Sequence, residues 1–256
     1  MAGPESAFSR WGKAWIFPAA SLAVWEWVAW ERWVRPDFLP APEKVLATLG
    51  TLAASGTLAT DMEASALRVA FGCVVGGGLG LAAGVALSGR AVQRLFGGVF
   101  HGVRQVPLVG WAPLMVLWFG IGEASKLAFM AAGVFFPVAL NVAAGLAGVP
   151  GELRELADVY GLSPKERLFQ VTLPAAVPSL KAAAIQGLNM AWVSLVAAEI
   201  LTATRTGIAN EINQGRSQFR MDLVLAALAA VTLAGFLCQL ALRRVWEAVF
   251  GKYSRS

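Results

Sequence analysis

Charge is scarce in this chain. Asp, Glu, Lys and Arg make up 14% of its 256 residues, against about a quarter in an ordinary soluble domain. Histidine is almost missing, with His101 the only one. A histidine-based metal centre is therefore excluded, and any Ser–His–Asp constellation would have to use that one imidazole. His101 falls in the basic segment after the second apolar run and reads as a solvated or interfacial residue. Cysteine is limited to Cys73 and Cys238, both inside apolar stretches. Two such residues make neither a secreted disulfide framework nor a metal site, and they read as small packing residues. A phosphate-cradling Gly-x-x-x-x-Gly-Lys-Ser/Thr is also missing. Gly12-Lys13 and Gly251-Lys252 lack the earlier glycine and the hydroxyl. The chain is expected to hold no nucleotide, metal or other cofactor of its own and not to be an enzyme.

What is abundant is apolar. Hydrophobic residues make up 57% of the sequence, more than one soluble core could hide, so lipid is the expected solvent. The net charge of +5 does not point to nucleic acid, because the basic residues fall between apolar runs. A bilayer core needs about 20 apolar residues in a helix. Residues 69–89, 105–122, 127–151, 182–198 and 223–242 carry no charge. A sixth run begins near Ala14 and is interrupted by Glu26 and Glu31. Trp25, Trp27, Trp30 and Trp33 gather at its far end, as an aromatic belt would. Glu26 then sits near the membrane surface, with a buried proton-relay acid as the functional alternative. Arg10 and Lys13 precede this run, but no small-x-small cleavage site follows it, so it reads as an uncleaved first helix.

The expected architecture is an all-α membrane protein, one domain over 1–256, with spans near 14–33, 67–89, 105–122, 126–149, 182–204 and 222–243. With the first residue inside, the cytoplasmic segments hold Arg10, Lys13, Arg90, Arg94, Arg104, Arg154, Lys165, Arg167, Lys181, Arg243, Arg244, Lys252 and Arg255. These are the majority of the 21 Lys and Arg, and six spans return the last residue to the cytoplasm. Gly72, Gly76, Gly80 and Gly84 recur every fourth residue on one face of the second span, which favours close helix packing over ligand contact. Pro107, Pro113 and Pro137 imply kinked or broken helices in the third and fourth spans.

Two loops are long. The outer one, 35–65, carries Val45, Leu46, Leu49 and Leu52 with the spacing of a surface helix. The inner one, 150–181, is more specific. Leu153, Leu156, Ala157 and Tyr160 form one helical stripe. Gly161 stands where a helix C-cap glycine belongs. Ser163 then caps a second helix, with Pro164 at its first position and Glu166 three residues after the cap. Pro174 is expected to stop that helix after Leu173.

Glu155-Leu156-Ala157, three residues, Gly161, nine residues, Val171, one residue and Leu173-Pro174 resemble the EAA motif of ABC importer permeases. Leu156 and Val171 depart from the family's Ala and Ile, both apolar exchanges. Phe38-Leu39-Pro40-Ala41-Pro42, Ser65-Ala66-Leu67-Arg68-Val69, Trp118-Phe119-Gly120-Ile121-Gly122 and Ala197-Ala198-Glu199 resemble the nitrate, sulfonate and taurine branch. The resemblance implies a type I ABC importer permease in a bacterial inner membrane, passing a small anion. It implies as partners a second copy of the chain, two ATPase subunits that bind ATP and Mg, and a periplasmic or lipid-anchored binding protein. Glu155, Ala157, Tyr160, Gly161, Leu162, Ser163, Leu173 and Pro174 would make up the coupling segment against the ATPase. Asn189, Trp192 and Glu199 in the fifth span would line the pathway. For Glu199 a packing or outer-gate hydrogen bond is the competing role. An anion would be drawn instead by Arg205, Arg216 and Arg220, which could equally dock the binding protein. A proton-coupled secondary transporter using Glu26 or Glu199 is the alternative, and it leaves the 155–174 loop unexplained.

Overall fold

The computed structural model describes the backbone of residues 7–202 and 206–253, and the side chains of 16–202 and 206–252. Arg205 and Arg255 lie outside the described residues, as does the end of the expected fifth span. Among the described residues the secondary structure is helical. Four helices are long and apolar enough to cross a membrane: α3 (Thr57–Leu87), α6 (Glu123–Ala147), the continuous stretch Pro164–Leu201, and α11 (Met221–Phe250). Two shorter apolar helices, Ile16–Trp30 and Leu108–Phe119, fall at the first and third expected positions. The first belongs to α1 (Ala7–Trp30).

The centre of the fold is the parallel pair α3 and α6, with α9 (Leu173–Leu201) packed antiparallel to α6 and touching both. Lipid gives no hydrophobic push between helices, so their association depends on close van der Waals contact. The glycine stripe provides it. A Cβ at Gly80 would lie 2.7 Å from the Phe135 carbonyl oxygen and 2.9 Å from Val138 Cβ, and Gly76 and Gly84 are equally tight. Gly133 and Gly187 let α9 approach α6 in the same way. The large apolar side chains that point away, such as Val74, Leu79 and Val85, are exposed, as lipid-facing residues are.

The chain between α3 and α6 is broken, as the prolines of the third expected span imply. α4 (Arg90–Gln105) ends at Val106, a 3-10 turn covers Leu108–Trp111, and α5 (Ala112–Phe119) follows. Pro107 breaks the helix, whereas Pro113 starts α5 at a position that needs no backbone N–H. Pro137 is carried inside α6 without ending it. His101 lies on α4, with its ring edge-on to Phe100; it is not in a loop.

At the end of the bundle expected to lie outside, α2 (Pro42–Ala54) is the surface helix expected there. It buries Val45, and Thr48 Oγ1 donates to Asp222 at the start of α11 (2.8 Å). The Trp25 indole donates to the Pro40 carbonyl (3.0 Å) and fastens the end of α1 to the same region. α10 (Ile208–Ser217) completes this side by packing on α11.

Candidate functional site

The segment expected to lie inside begins with α7 (Gly151–Val159). The Arg154 guanidinium donates back to the Leu146 and Ala147 carbonyls (3.1 and 3.3 Å), which α6 leaves unpaired at its C-terminus. α7 buries Ala157 and leaves Tyr160 and Val159 75% and 83% exposed. Gly161 takes φ +64°, the left-handed value that a Cβ disfavours by about 1 kcal/mol or more. The Gly161 N–H donates to Asp158 O and the Leu162 N–H to Ala157 O, both at 3.0 Å. This paired closure is a Schellman turn, and it consumes carbonyls the helix end would otherwise expose.

Ser163 then caps α8 (Pro164–Arg167) reciprocally. Its hydroxyl oxygen accepts the Glu166 N–H, and Glu166 Oε2 accepts the Ser163 N–H (2.9 Å). An Arg167–Asp158 ion pair ties the two helices across the turn. Leu153, Leu156, Tyr160, Leu162, Val171 and Pro174 line one shallow depression of about 420 Å³, with Gln170 and Lys252 also in its wall. Glu155 faces solvent.

One expectation is corrected here. Pro174 does not stop the second helix. The segment Leu168–Thr172 forms a π turn, with the Leu173 N–H reaching back five residues to Leu168 O. The wider turn relieves the clash between the Pro174 ring and the carbonyl four residues earlier. The helix therefore runs on through Leu173 and Pro174 into α9, and residues 164–181 are part of that helix, not a loop.

At the opposite end of α9, Glu199 is only 1% exposed. It accepts from Arg68 Nη1 (2.7 Å), Ser65 Oγ (2.8 Å) and the Ala209 N–H (3.0 Å). Arg68, 6% exposed, also grips Glu123 bidentately at 2.8 and 2.7 Å, and Lys126 pairs with Glu123 as well. Asp61 accepts the Gly207 N–H (2.9 Å), and Ser65 accepts the Ile208 N–H (3.0 Å). Three orphan N–H groups at the start of α10 are thereby satisfied by side chains of α3 and α9. α3, α6, α9 and α10 meet at this one buried cluster. Sequence reading placed Glu199 in the right span but gave Arg68, Glu123 and Lys126 no role.

The other pathway candidates are not brought together with Glu199. Trp192 is buried against Gly235 of α11, while Asn189 is exposed on a different face of α9. Arg216 and Arg220 are exposed beside α10, and Arg220 pairs with Asp222 (2.9 Å). Glu211, 6% exposed on α10, has its carboxyl pushed above the usual range. Burial is the main cause and nearby Asp61 adds to it, while Arg220 pulls the other way.

The family profile described as "Binding-protein-dependent transport system inner membrane component" matches residues 76–249. The chain is 34% identical to the taurine transport system permease protein of Escherichia coli (strain K12) over 231 residues, covering 88% of this chain and 84% of that one. It is also 34% identical, over 250 residues, to a protein of the same organism that carries the name of an aliphatic sulfonates transport permease, covering 96% and 95% of the two chains. A chain of the MetNI methionine ABC transporter, solved in inward-facing conformations, superposes with a TM-score of 0.58 at 21% identity, covering 74% of this chain and 92% of that one. This last likeness shows a shared fold.

Proposed function

This chain belongs to the inner membrane components of binding-protein-dependent transport systems, an ABC importer permease that works with an ATPase and a binding protein, and we propose that it carries a small sulfonate-type anion. Two sulfonate-linked relatives aligned over most of the chain carry that reading. Two copies of the chain would enclose the pathway between them, with both termini in the cytoplasm. ATP and Mg would be held by the ATPase subunits, and this chain would catalyse no reaction itself. The binding protein would be periplasmic or lipid-anchored.

The segment from Glu155 to Pro174 is the proposed seat of the ATPase. Exposed apolar Val159 and Tyr160 at the tip of α7 give a partner groove something to desolvate. Gly161, Leu162 and Ser163 hold α7 at a fixed angle to the helix that follows, so a push on α7 passes through Leu173 and Pro174 into α9. Asn189 and Trp192 are kept as pathway candidates. Glu199 is better supported as a fastening of the outer end, because each of its carboxylate oxygens already has donors.

The test is reconstitution of the chain with its ATPase and binding protein in vesicles. Taurine, methanesulfonate and nitrate are each offered as the solute. ATP hydrolysis stimulated by taurine or methanesulfonate is expected. Stimulation by nitrate and by neither sulfonate would overturn the substrate class, and uptake driven by a proton gradient without ATP would overturn the transport mechanism.

A further inference from the structure

A charged side chain deep in a membrane bundle is costly, and the default explanation is function. Arg104 stands at membrane depth without being buried. The sequence places it in an inner basic segment, but α4 carries it about 21 Å along its axis from Arg90, beside Pro137 of α6, and its side chain is exposed in the single chain. One turn before it on α4, Phe100 stacks against Phe135 and Phe136, with ring centroids 6.0 and 5.4 Å away. Arg104 itself lines a cavity of about 310 Å³ shared with Pro137 and Asn141 of α6 and Gln186 of α9. Pro137 and Asn141 lie roughly 15 and 9 Å along the helix axis from the inner end of α6, at 1.5 Å per residue.

No carboxylate lines this cavity, and Arg104 has no ion pair or hydrogen bond among the described residues. The buried guanidinium of Arg68, by contrast, is matched by two carboxylates. The amides beside Arg104 are arranged with a donor to spare. Asn141 Nδ2 donates to the Pro137 carbonyl (2.7 Å) and to Gln186 Oε1 (3.0 Å). Gln186 also lines the cavity, and with its oxygen so occupied its amide N–H groups are what it has to offer a ligand. Trp111, Phe136 and Met190 supply apolar wall. A cation, a free amide donor and an apolar wall suit an anion with several acceptor oxygens and a short carbon tail.

We propose that this cavity between α4, α6 and α9 is an anion subsite on the permeation route, in which Arg104 pairs with the sulfonate group of a small organosulfonate and Gln186 donates to it. The proposal rests on the sulfonate reading above and assigns it to side chains. The guanidinium fork fits two sulfonate oxygens at once. Arg94 and Arg90 follow Arg104 down the same side of α4 toward the inner end, so an anion leaving the subsite meets positive charge in that direction.

The experiment uses the assembled transporter in vesicles, with radiolabelled taurine and methanesulfonate as the probes. Arg104→Gln is expected to cut uptake about tenfold or more, the scale of a charge-assisted hydrogen-bonded pair. Hydrolysis stimulated by the loaded binding protein should remain, because the ATPase contact is elsewhere. Arg104→Lys should retain more uptake than Arg104→Gln. Gln186→Met, which leaves every charge in place, should raise the half-saturating concentration by a smaller factor. Wild-type uptake of neither sulfonate would overturn the functional reading and this subsite with it. Wild-type sulfonate uptake matched by Arg104→Gln would overturn the subsite alone. Joint loss of uptake and stimulated hydrolysis in Arg104→Gln, with Gln186→Met unchanged, would also overturn it, since Arg104 would then serve assembly.

Discussion

The two ends of the continuous helix Pro164–Leu201 handle polar groups in opposite ways. At the outer end, Glu199 and Arg68 are withdrawn from solvent and every partner is another part of the same chain. At the inner end, the turn around Gly161 closes its own backbone bonds and leaves Val159 and Tyr160 facing outward. The first arrangement makes one body of four helices. The second holds a surface ready for another protein. A buried ion cluster is strong evidence for geometry and weak evidence for net stability. An exposed apolar tip on a well-capped helix is the reverse, costing little in the fold and meaningful only with a partner.

The outer end is where a single change should do most damage. Glu199→Ala leaves Arg68 with half its charge partners and strands the Ser65 hydroxyl and the Ala209 N–H. A loss of about 3–5 kcal/mol is expected, read as a large fall in Tm of the detergent-solubilised protein. The double variant Arg68→Met with Glu199→Leu should recover part of it, because the stranded charge is gone. A Glu199→Ala protein with wild-type Tm would remove the outer cluster from one side of the comparison.

At the inner end the pattern should invert. Gly161→Asp forces a Cβ into a left-handed turn, about 1 kcal/mol or somewhat more of strain. No atom lies within 4 Å of where that Cβ would sit, so the fold should survive. ATP-driven uptake should nevertheless collapse, since the angle of α7 would change. Wild-type uptake together with wild-type ATPase stimulation in the Gly161→Asp complex would refute this. Ser163→Ala, which removes one half of the reciprocal cap, should give a milder version of the same phenotype, a partial fall in uptake with the assembled complex intact.

The smallest effect concerns pH. Glu211 has a raised folded-state pKa, so folding favours its protonated form. That contribution is fully present below the ordinary glutamate value and is lost as pH rises through the raised one. Glu211→Gln should therefore flatten the fall in Tm over that interval and leave the protein slightly more stable at neutral pH. An unchanged Tm–pH curve would show that Glu211 is ionised at no cost.

Local patterns carried most of what the sequence revealed. The helix–glycine–helix segment is written in neighbouring residues: the Leu153 to Tyr160 stripe, Gly161, and the Ser163–Glu166 pair. The glycine stripe on α3 was equally readable, because its four-residue period is a property of one helix. What stayed hidden depends on distant pairing or on mixed character. Nothing near Arg68 in sequence says that it will meet Glu123 and Glu199. α4 is hard to read because its charges interrupt the apolar run, although Arg90, Arg94, His101 and Arg104 share one side of a helix. Pro174 misled for a related reason: a proline rule assumes an α turn before it, and here the turn is wider.

The continuous helix from Pro164 to Leu201 spans 38 residues, about 57 Å of rod at 1.5 Å per residue. Its outer end is clamped by Glu199, so that end acts as a fulcrum and the Ser163 end as the handle. A sideways displacement of about 5 Å at the handle would tilt the rod by about 5° and carry Gln186, roughly two-fifths of the way from the fulcrum, by about 2 Å. That is enough to make or break a hydrogen bond. The π turn at Leu168–Thr172 lies close to the handle, where a soft joint would absorb stroke before it reached the membrane. A substitution that stiffens it should lengthen the travel at Gln186, and one that loosens it should let the handle swing while the rest of the rod stays still.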